Sequence, residues 1–268
     1  MNAPTPADVL NEPFVLQSTR EGVTTLTLNR GDRFNPLSSG MIAALAEALD
    51  AIAKDEGVRA VVIAANGRGF SAGHDLKELR ANPDEAWQKK LFEACGEMMM
   101  KIVRLPQPVI ARVHGIAAAA GCQLTSMCDL AVASDEARFA LPGVNIGLFC
   151  STPAVGVARN ISRKRSMEML LTGDLIDAKT AMEWGLVNRV VPAAEMDMEI
   201  RKFTDAVKAK SSVAVALGKE VFYRQLDMDL PSAYALTAQT MTCNMMTEDA
   251  VEGIDAFIAK RAPEWKGR

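Results

Sequence analysis

From Val23 to Leu28 apolar residues alternate with threonines, the period of a half-buried strand, and the run stops at Asn29, Arg30 and Gly31. After the loop GDRFNPLS the period changes. Ile42, Leu45, Leu49 and Ile52 recur at helical spacing behind Ser38 and Ser39, either of which can cap the helix. The run AVVIAA, Ala60 to Ala65, is apolar on both faces, which predicts a strand inside a sheet rather than at its edge. Residues 84–104 are helical in pattern, with Trp87, Leu91, Phe92, Cys95 and Met98 to Met100 on one apolar surface. Such a surface suits core packing, and its adaptable methionines also suit a pocket for flexible chains. Pro106 and Pro108 end it before a strand at Val109 to Val113.

Further strands are expected at 130–133, 138–141 and 186–191, with PGVNIGLFCSTPAVG as a long loop and helical stretches flanking Thr172 and Gly173. Beyond Ala193 the pattern is helical only, in two long runs at 196–226 and 232–261. Together these elements predict an α/β protein. The expected parse is a flexible tail at 1–12, an α/β core at 13–195 and a helical region at 196–268. Leu236, Met241, Met245, Met246, Ile254, Phe257 and Ile258 give that last region more apolar surface than two helices can bury in each other, so it is expected to meet other subunits.

One stretch, VIARVHGIAAAAGCQLTSMC from Val109 to Cys128, turns from strand to helix through four alanines and Gly121, the helical pattern opening at Cys122. Small residues there let a ligand approach the backbone closely, and a helix start presents unpaired N–H groups at the positive end of its dipole. The turn is equipped to stabilise an anion. A second glycine-rich stretch, NGRGFSAGHDLKELRANP, also follows a buried strand. Its glycines, Gly67, Gly69 and Gly73, miss dinucleotide-binding spacing by one residue, and the helix after them is too short and polar for a Rossmann unit.

Composition narrows the partners. Over 268 residues the net charge is -3 and nowhere concentrated, which argues against nucleic acid or a membrane surface and for small molecules. The five cysteines lack paired zinc spacing and sit mostly in apolar segments, reading as buried free thiols of a reducing compartment. No metal site is expected. With no basic leader at 1–12 and no apolar run of ~20 residues, a soluble cytoplasmic protein is expected.

Three stretches taken together, GRGFSAGHDLKEL, VHGIAAAAGCQLTSMCDLAVAS and residues 172–192, resemble the crotonase, or enoyl-CoA hydratase/isomerase, superfamily. The run NIGLFCSTPAVGVARNISRKRSMEMLLTGD is most similar to its domain-containing protein 3 subgroup. The resemblance implies a spiral of ββα units with a C-terminal helical region forming trimers or hexamers. It also implies an acyl-CoA thioester as partner, with no cofactor besides the coenzyme A of the substrate. The thioester oxygen would lie between the backbone N–H groups of His74 and Ala120, with Ala72, Gly73, Ala119 and Gly121 giving it access. Asp75, Leu76 and Lys77 follow in the same motif, Lys77 matching a position that reaches CoA phosphates and Lys260 one that arrives from a neighbouring subunit. Arg33 and Pro36 fall in the adenine and pantetheine loop.

The family's two hydratase glutamates map onto Gln123 and Gly143, neither of which exchanges protons. General acid and base groups contribute roughly 10² to 10⁴-fold each, so the usual hydration route is disabled. Polar replacements are Asn145, Cys150, Ser151 and Thr152 on the loop near the reacting carbons, Gln123 itself, and the imidazole of His74. His114 is expected to be structural. Three readings stay open: a hydratase/isomerase with rearranged polar groups, a decarboxylase of malonyl-CoA-type substrates, and an acyl-CoA-binding protein without catalysis.

Overall fold

The computed structural model describes residues 12–268. The tail expected at 1–12 lies outside them except for Glu12. Strand β2 (Val23–Leu28) buries alternate residues as its threonine spacing dictates, and it pairs antiparallel with an edge strand, β1 (Val15–Arg20). Strand β1 escaped the sequence reading because five of its six residues face solvent and its apolar positions do not alternate. On the other side β2 runs parallel to β3 (Ala60–Ala65), which is buried throughout, then to β4 (Val109–Val113), β6 (Leu130–Ser134) and β9 (Arg189–Val191).

Both faces of this sheet are covered. Helices α1 (Ser39–Ile52) and α3 (Glu85–Arg104) bury Leu45, Leu49, Met98 and Met99 with Leu26, Val61, Ile63 and Ala111 on one face. Helix α8 (Met196–Lys208) packs Met196 and Ile200 on Val62, Ile110 and Val132 on the other. The parallel strands are therefore continuous apolar runs. The boundary expected at 195/196 moves in consequence, since α8 belongs by packing to the α/β core. Ser38 is the cap of α1, its Oγ accepting from the Met41 N–H at 3.3 Å.

A second, smaller sheet sets the spiral. Strand β4 turns into β5 (Ile116–Ala118) and then α4 (Ala120–Met127), while β6 turns into β7 (Arg138–Ala140) and then α5 (Ser151–Asn160). Each unit places one strand in the large sheet and one in the small, where β5, β7 and β8 (Ile176–Asp177) pair. The preceding units repeat the plan with single bridges, Leu37 to His74 and Ser71 to Ala117. The expected spiral of ββα units is the fold found. Helix α2 (Leu76–Ala81) follows the first of those bridged segments, and α6 (Arg163–Thr172) and α7 (Ala178–Trp184) complete the core.

Several boundaries differ from the sequence reading for identifiable reasons. PGVNIGLFCSTPAVG is only partly loop, because Pro153 falls in the first turn of α5, where no N–H donor is needed. The two C-terminal runs are four helices. Ser211 breaks the first by capping α9 (Ser212–Gln225), and Thr247 breaks the second between α10 (Leu230–Met245) and α11 (Glu248–Ile258). A buried ion pair seats α9: Lys219 Nζ donates to Asp129 at 2.6 Å and to the carbonyls of Ile102 and Gln107 at 3.0 Å. Phe257 and Met246 stay 84% and 80% exposed, so the apolar surface expected on the C-terminal helices is uncovered in the single chain. Of the cysteines, Cys95, Cys122, Cys128 and Cys150 are buried, whereas Cys243 on α10 is exposed, an exception to the sequence reading.

Candidate active site

The carboxyl ends of β2, β3 and β4 lead into three loops that lie against one another, the place where parallel α/β sheets bind ligands. Buried Asn35 fastens the first to the second. Its Nδ2 donates to the carbonyls of Asn66 and Gly69 at 2.8 and 3.0 Å, and its Oδ1 accepts from the Arg30 N–H at 2.8 Å. Ser71 adds a bond from its Oγ to the Asn35 carbonyl. Sequence reasoning missed Asn35. The signal was Asn before Pro in a turn, a residue that tolerates the left-handed φ of 48° found here.

The second and third loops meet at Gly73. Its φ is +92°, and a Cβ there would stand 2.9 Å from the Ala119 Cβ and 3.1 Å from both the Ala118 carbonyl and the Ala120 nitrogen. Glycine is required by this contact, so it brings the backbone of His74 beside the first residue of α4. Ala119 takes φ 48°, ψ -119°, a strained conformation for alanine, and by doing so starts the helix at Ala120 rather than at Cys122. Neither the His74 N–H nor the Ala120 N–H meets a backbone acceptor among the described residues. Two free donors thus sit at the positive end of a helix.

Gly121 has a different part from the one expected. A Cβ there would lie 2.2 Å from the Ser71 carbonyl oxygen, so the glycine lets α4 pack on the Ser71 bridge and gives no room to a ligand. Ala72 is exposed, its N–H held by the Phe34 carbonyl at 2.9 Å. Asp75 caps α2, accepting from the N–H groups of Lys77 and Glu78. Leu76 and Lys77 are exposed at the start of that helix. Arg33, also exposed, and half-buried Pro36 belong to the first loop, which the second loop holds through the Phe34 carbonyl and the Leu37 N–H.

Gln123, one turn along α4, is 4% exposed, and its Oε1 has no hydrogen-bond partner among the described residues. The imidazole of His74 stacks edge-on against Phe92 at 5.2 Å and donates from Nδ1 to the Leu37 carbonyl at 3.1 Å. Its Nε2 is buried and has no partner among the described residues, and burial holds the His74 pKa below the ordinary value, against the opposing pull of the Leu37 bond and Glu78. His114 donates from Nε2 to the Gly67 carbonyl at 2.9 Å, as a group holding that loop.

The 140–151 segment joins the site through the bond from the Ala119 N–H to the Ala140 carbonyl. At Gly143 a Cβ would meet the Cys150 sulfur at 2.9 Å, and the Gly143 N–H donates to that sulfur at 3.3 Å. The thiol fills the space a longer side chain at 143 would need. Burial raises the Cys150 pKa, against the opposing pull of the Gly143 N–H bond to its sulfur. Ser151 is exposed at the start of α5. Asn145 points elsewhere than expected: its amide lies against Gly173 at the end of α6, where a Cβ would come within 2.9 Å of Nδ2. Lys260 lies just past α11, which packs on α9 and α10, so one chain does not bring it to the other candidates.

A family model described as enoyl-CoA hydratase/isomerase matches residues 18–268. The chain belongs to the enoyl-CoA hydratase/isomerase family. Within this family, enoyl-CoA hydratase domain-containing protein 3 of rat, named as mitochondrial, is 44% identical over 262 residues, 97% of this chain and 87% of that protein. The crystal structure of the human protein of that name aligns at a TM-score of 0.92 with 43% identity, covering 95% of this chain and all of the other. An enoyl-CoA hydratase from Mycobacterium smegmatis aligns at 0.93 with 56% identity, covering 95% and 99%. The resemblance to the family, and to the domain-containing protein 3 subgroup, therefore holds along nearly the whole chain. No described helix is long and apolar enough to cross a membrane.

Proposed function

We propose that this protein binds an acyl-CoA thioester and stabilises its enolate between the backbone N–H groups of His74 and Ala120, in chemistry of the hydratase/isomerase type. The observation carrying this reading is the Gly73 contact, which sets two unengaged donors side by side at the start of α4. Removing a substituent from, or adding one to, the carbons beside a thioester places negative charge on its oxygen. Preorganised donors stabilise that charge, each by about 3 kcal/mol. Lys77 and Arg33 serve the CoA phosphates and adenine edge, Lys260 arrives from a neighbouring subunit, and the exposed apolar face of α9 to α11 closes a trimer or a pair of trimers. The buried thiols suit a reducing compartment, the cytoplasm or the matrix of mitochondria alike.

The paired-carboxylate route of hydration does not run here. Gln123 has no acid to offer, and Cys150 occupies the space above Gly143. The same observation favours a second reading, decarboxylation of a malonyl-CoA-type substrate, which needs the enolate stabilised but no base to attack carbon. Incubation with crotonyl-CoA and with methylmalonyl-CoA, followed by mass spectrometry, separates the two. The expected result is binding of crotonyl-CoA with slow hydration that rises in Gln123→Glu. Release of CO₂ from methylmalonyl-CoA alone moves the second reading ahead, binding without turnover marks a non-catalytic acyl-CoA protein, and failure to bind either thioester ends all three.

A further inference from the structure

Helices α6 and α7 close on left-handed glycines, Gly173 at φ 70° and Gly185 at φ 93°, because glycine has no Cβ to clash in that conformation. Helix α11 closes on a lysine instead. After Ala259, Lys260 takes φ 54°, and the Arg261 N–H returns to the Ala256 carbonyl at 3.0 Å, the bond that completes this kind of helix end. A left-handed conformation costs free energy in a residue with a Cβ, and such strain persists only where surrounding contacts impose it. At Lys260 the contacts come from the next residue. The Arg261 guanidinium donates to Glu252 at two points, Nη1 to Oε1 at 2.6 Å and Nη2 to Oε2 at 2.7 Å, and the same Oε1 accepts from the Glu264 N–H at 2.7 Å. The backbone is thus fixed on both sides of Lys260.

Of the four cations beyond α11, three are paired: Arg261 with Glu252, and Lys266 and Arg268 with Glu248 at 3.2 and 3.0 Å. The Lys260 ammonium meets no acceptor among the described residues, and it stands exposed beside the exposed apolar residues Phe257 and Ile258. We infer that Glu252 and Arg261 are positioning residues that hold Lys260 in its left-handed conformation, presetting its ammonium off the end of α11 for the phosphates of a CoA thioester bound to another subunit. The inference rests on the acyl-CoA reading above, in which Lys260 serves a neighbouring subunit. An ion pair between side chains 47% and 23% exposed adds little to stability, yet two parallel bonds between planar groups fix a direction. A lysine on a loose chain end would lose backbone freedom on meeting a phosphate. The clamp removes that loss before the ligand arrives.

The test is calorimetric titration with butyryl-CoA and with butyryl-pantetheine, which lacks the phosphates. Lys260→Ala is expected to weaken butyryl-CoA roughly 10-fold, the worth of one charge-assisted hydrogen bond, and to leave butyryl-pantetheine unchanged. Glu252→Gln, with Lys260 intact, should reproduce roughly 3- to 10-fold of that loss, again for butyryl-CoA alone. In the double variant Glu252→Gln with Lys260→Ala the loss should be no greater than in Lys260→Ala, since one residue acts through the other. Exchanging the charges, Glu252→Arg with Arg261→Glu, should restore butyryl-CoA affinity. Wild-type affinity in Glu252→Gln, an equal loss for both thioesters, or a further loss once Lys260 is gone overturns the inference, the last two marking a general structural role. An unchanged Lys260→Ala removes the Lys260 reading, and with it the inference, while leaving acyl-CoA binding intact. Absence of butyryl-CoA binding in the wild type removes the acyl-CoA reading itself.

Discussion

Replacing Gly73 with alanine strikes the proposed oxyanion hole without touching a polar side chain. The residue sits at φ +92°, and the added methyl would stand 2.9 Å from the Ala119 Cβ and 3.1 Å from the Ala120 nitrogen. The left-handed conformation costs an alanine roughly 1–2 kcal/mol, and relieving the contacts requires the 73–74 and 118–120 backbones to part by a few tenths of an ångström. A destabilisation of about 2 kcal/mol follows, or a fall in Tm of about 4–8 °C in a chain this long. The functional effect is larger than the structural one. Spreading the two donors forfeits most of one hydrogen bond to the enolate oxygen, about 100-fold in its stabilisation. Acetoacetyl-CoA gives the assay, because its enolate absorbs in the near ultraviolet and its acidity when bound reports the hole directly. Lys219→Met, at the opposite end of β4, serves as the control for lost stability alone. If Gly73→Ala loses stability as predicted and still binds the enolate like the wild type, the thioester oxygen does not lie between His74 and Ala120.

Two further outcomes follow from the packing. Gly143→Glu alone should not create a hydratase, because the Cys150 sulfur stands where its Cβ must go, and urea unfolding should show a loss of roughly 1–3 kcal/mol from overpacking; pairing it with Cys150→Ala should recover most of that loss, and no recovery would place the clash elsewhere. Lys219→Met should cost about 3 kcal/mol in the same measurement, at the low end for breaking a buried pair, since Asp129 keeps the Val109 N–H at 2.7 Å and the Tyr223 hydroxyl at 2.9 Å; a change under ~1 kcal/mol would mean that Asp129 is solvated in the folded protein.

How far the sequence could be read depended on whether each feature is local. The helix behind Ser38, the doubly buried strand at 60–65 and the helical C-terminal region were legible because period and capping are properties of neighbouring residues. So were the two small-residue loops, since AGHD and the alanine turn mark the segments that meet at Gly73. Strand β5 was not, because its three residues, Ile116 to Ala118, pair with β7 by position in the spiral and not by apolar period. Likewise α8 reads as one more C-terminal helix, and only its contact with Val62, Ile110 and Val132 makes it part of the core.

At the site the division is sharper. The sequence alone determined that positions 123 and 143 carry no acid, because Gln123 and Gly143 are what they are whatever the fold. Only the tertiary structure decided the meaning of the surrounding residues. Gly121 faces Ser71, Asn145 faces Gly173, Cys150 fills the space at Gly143, and Asn35 joins two loops thirty-odd positions apart in the chain. None of these contacts is encoded in spacing. Close packing between segments distant in sequence fixes which small residue admits a ligand and which merely admits its neighbour.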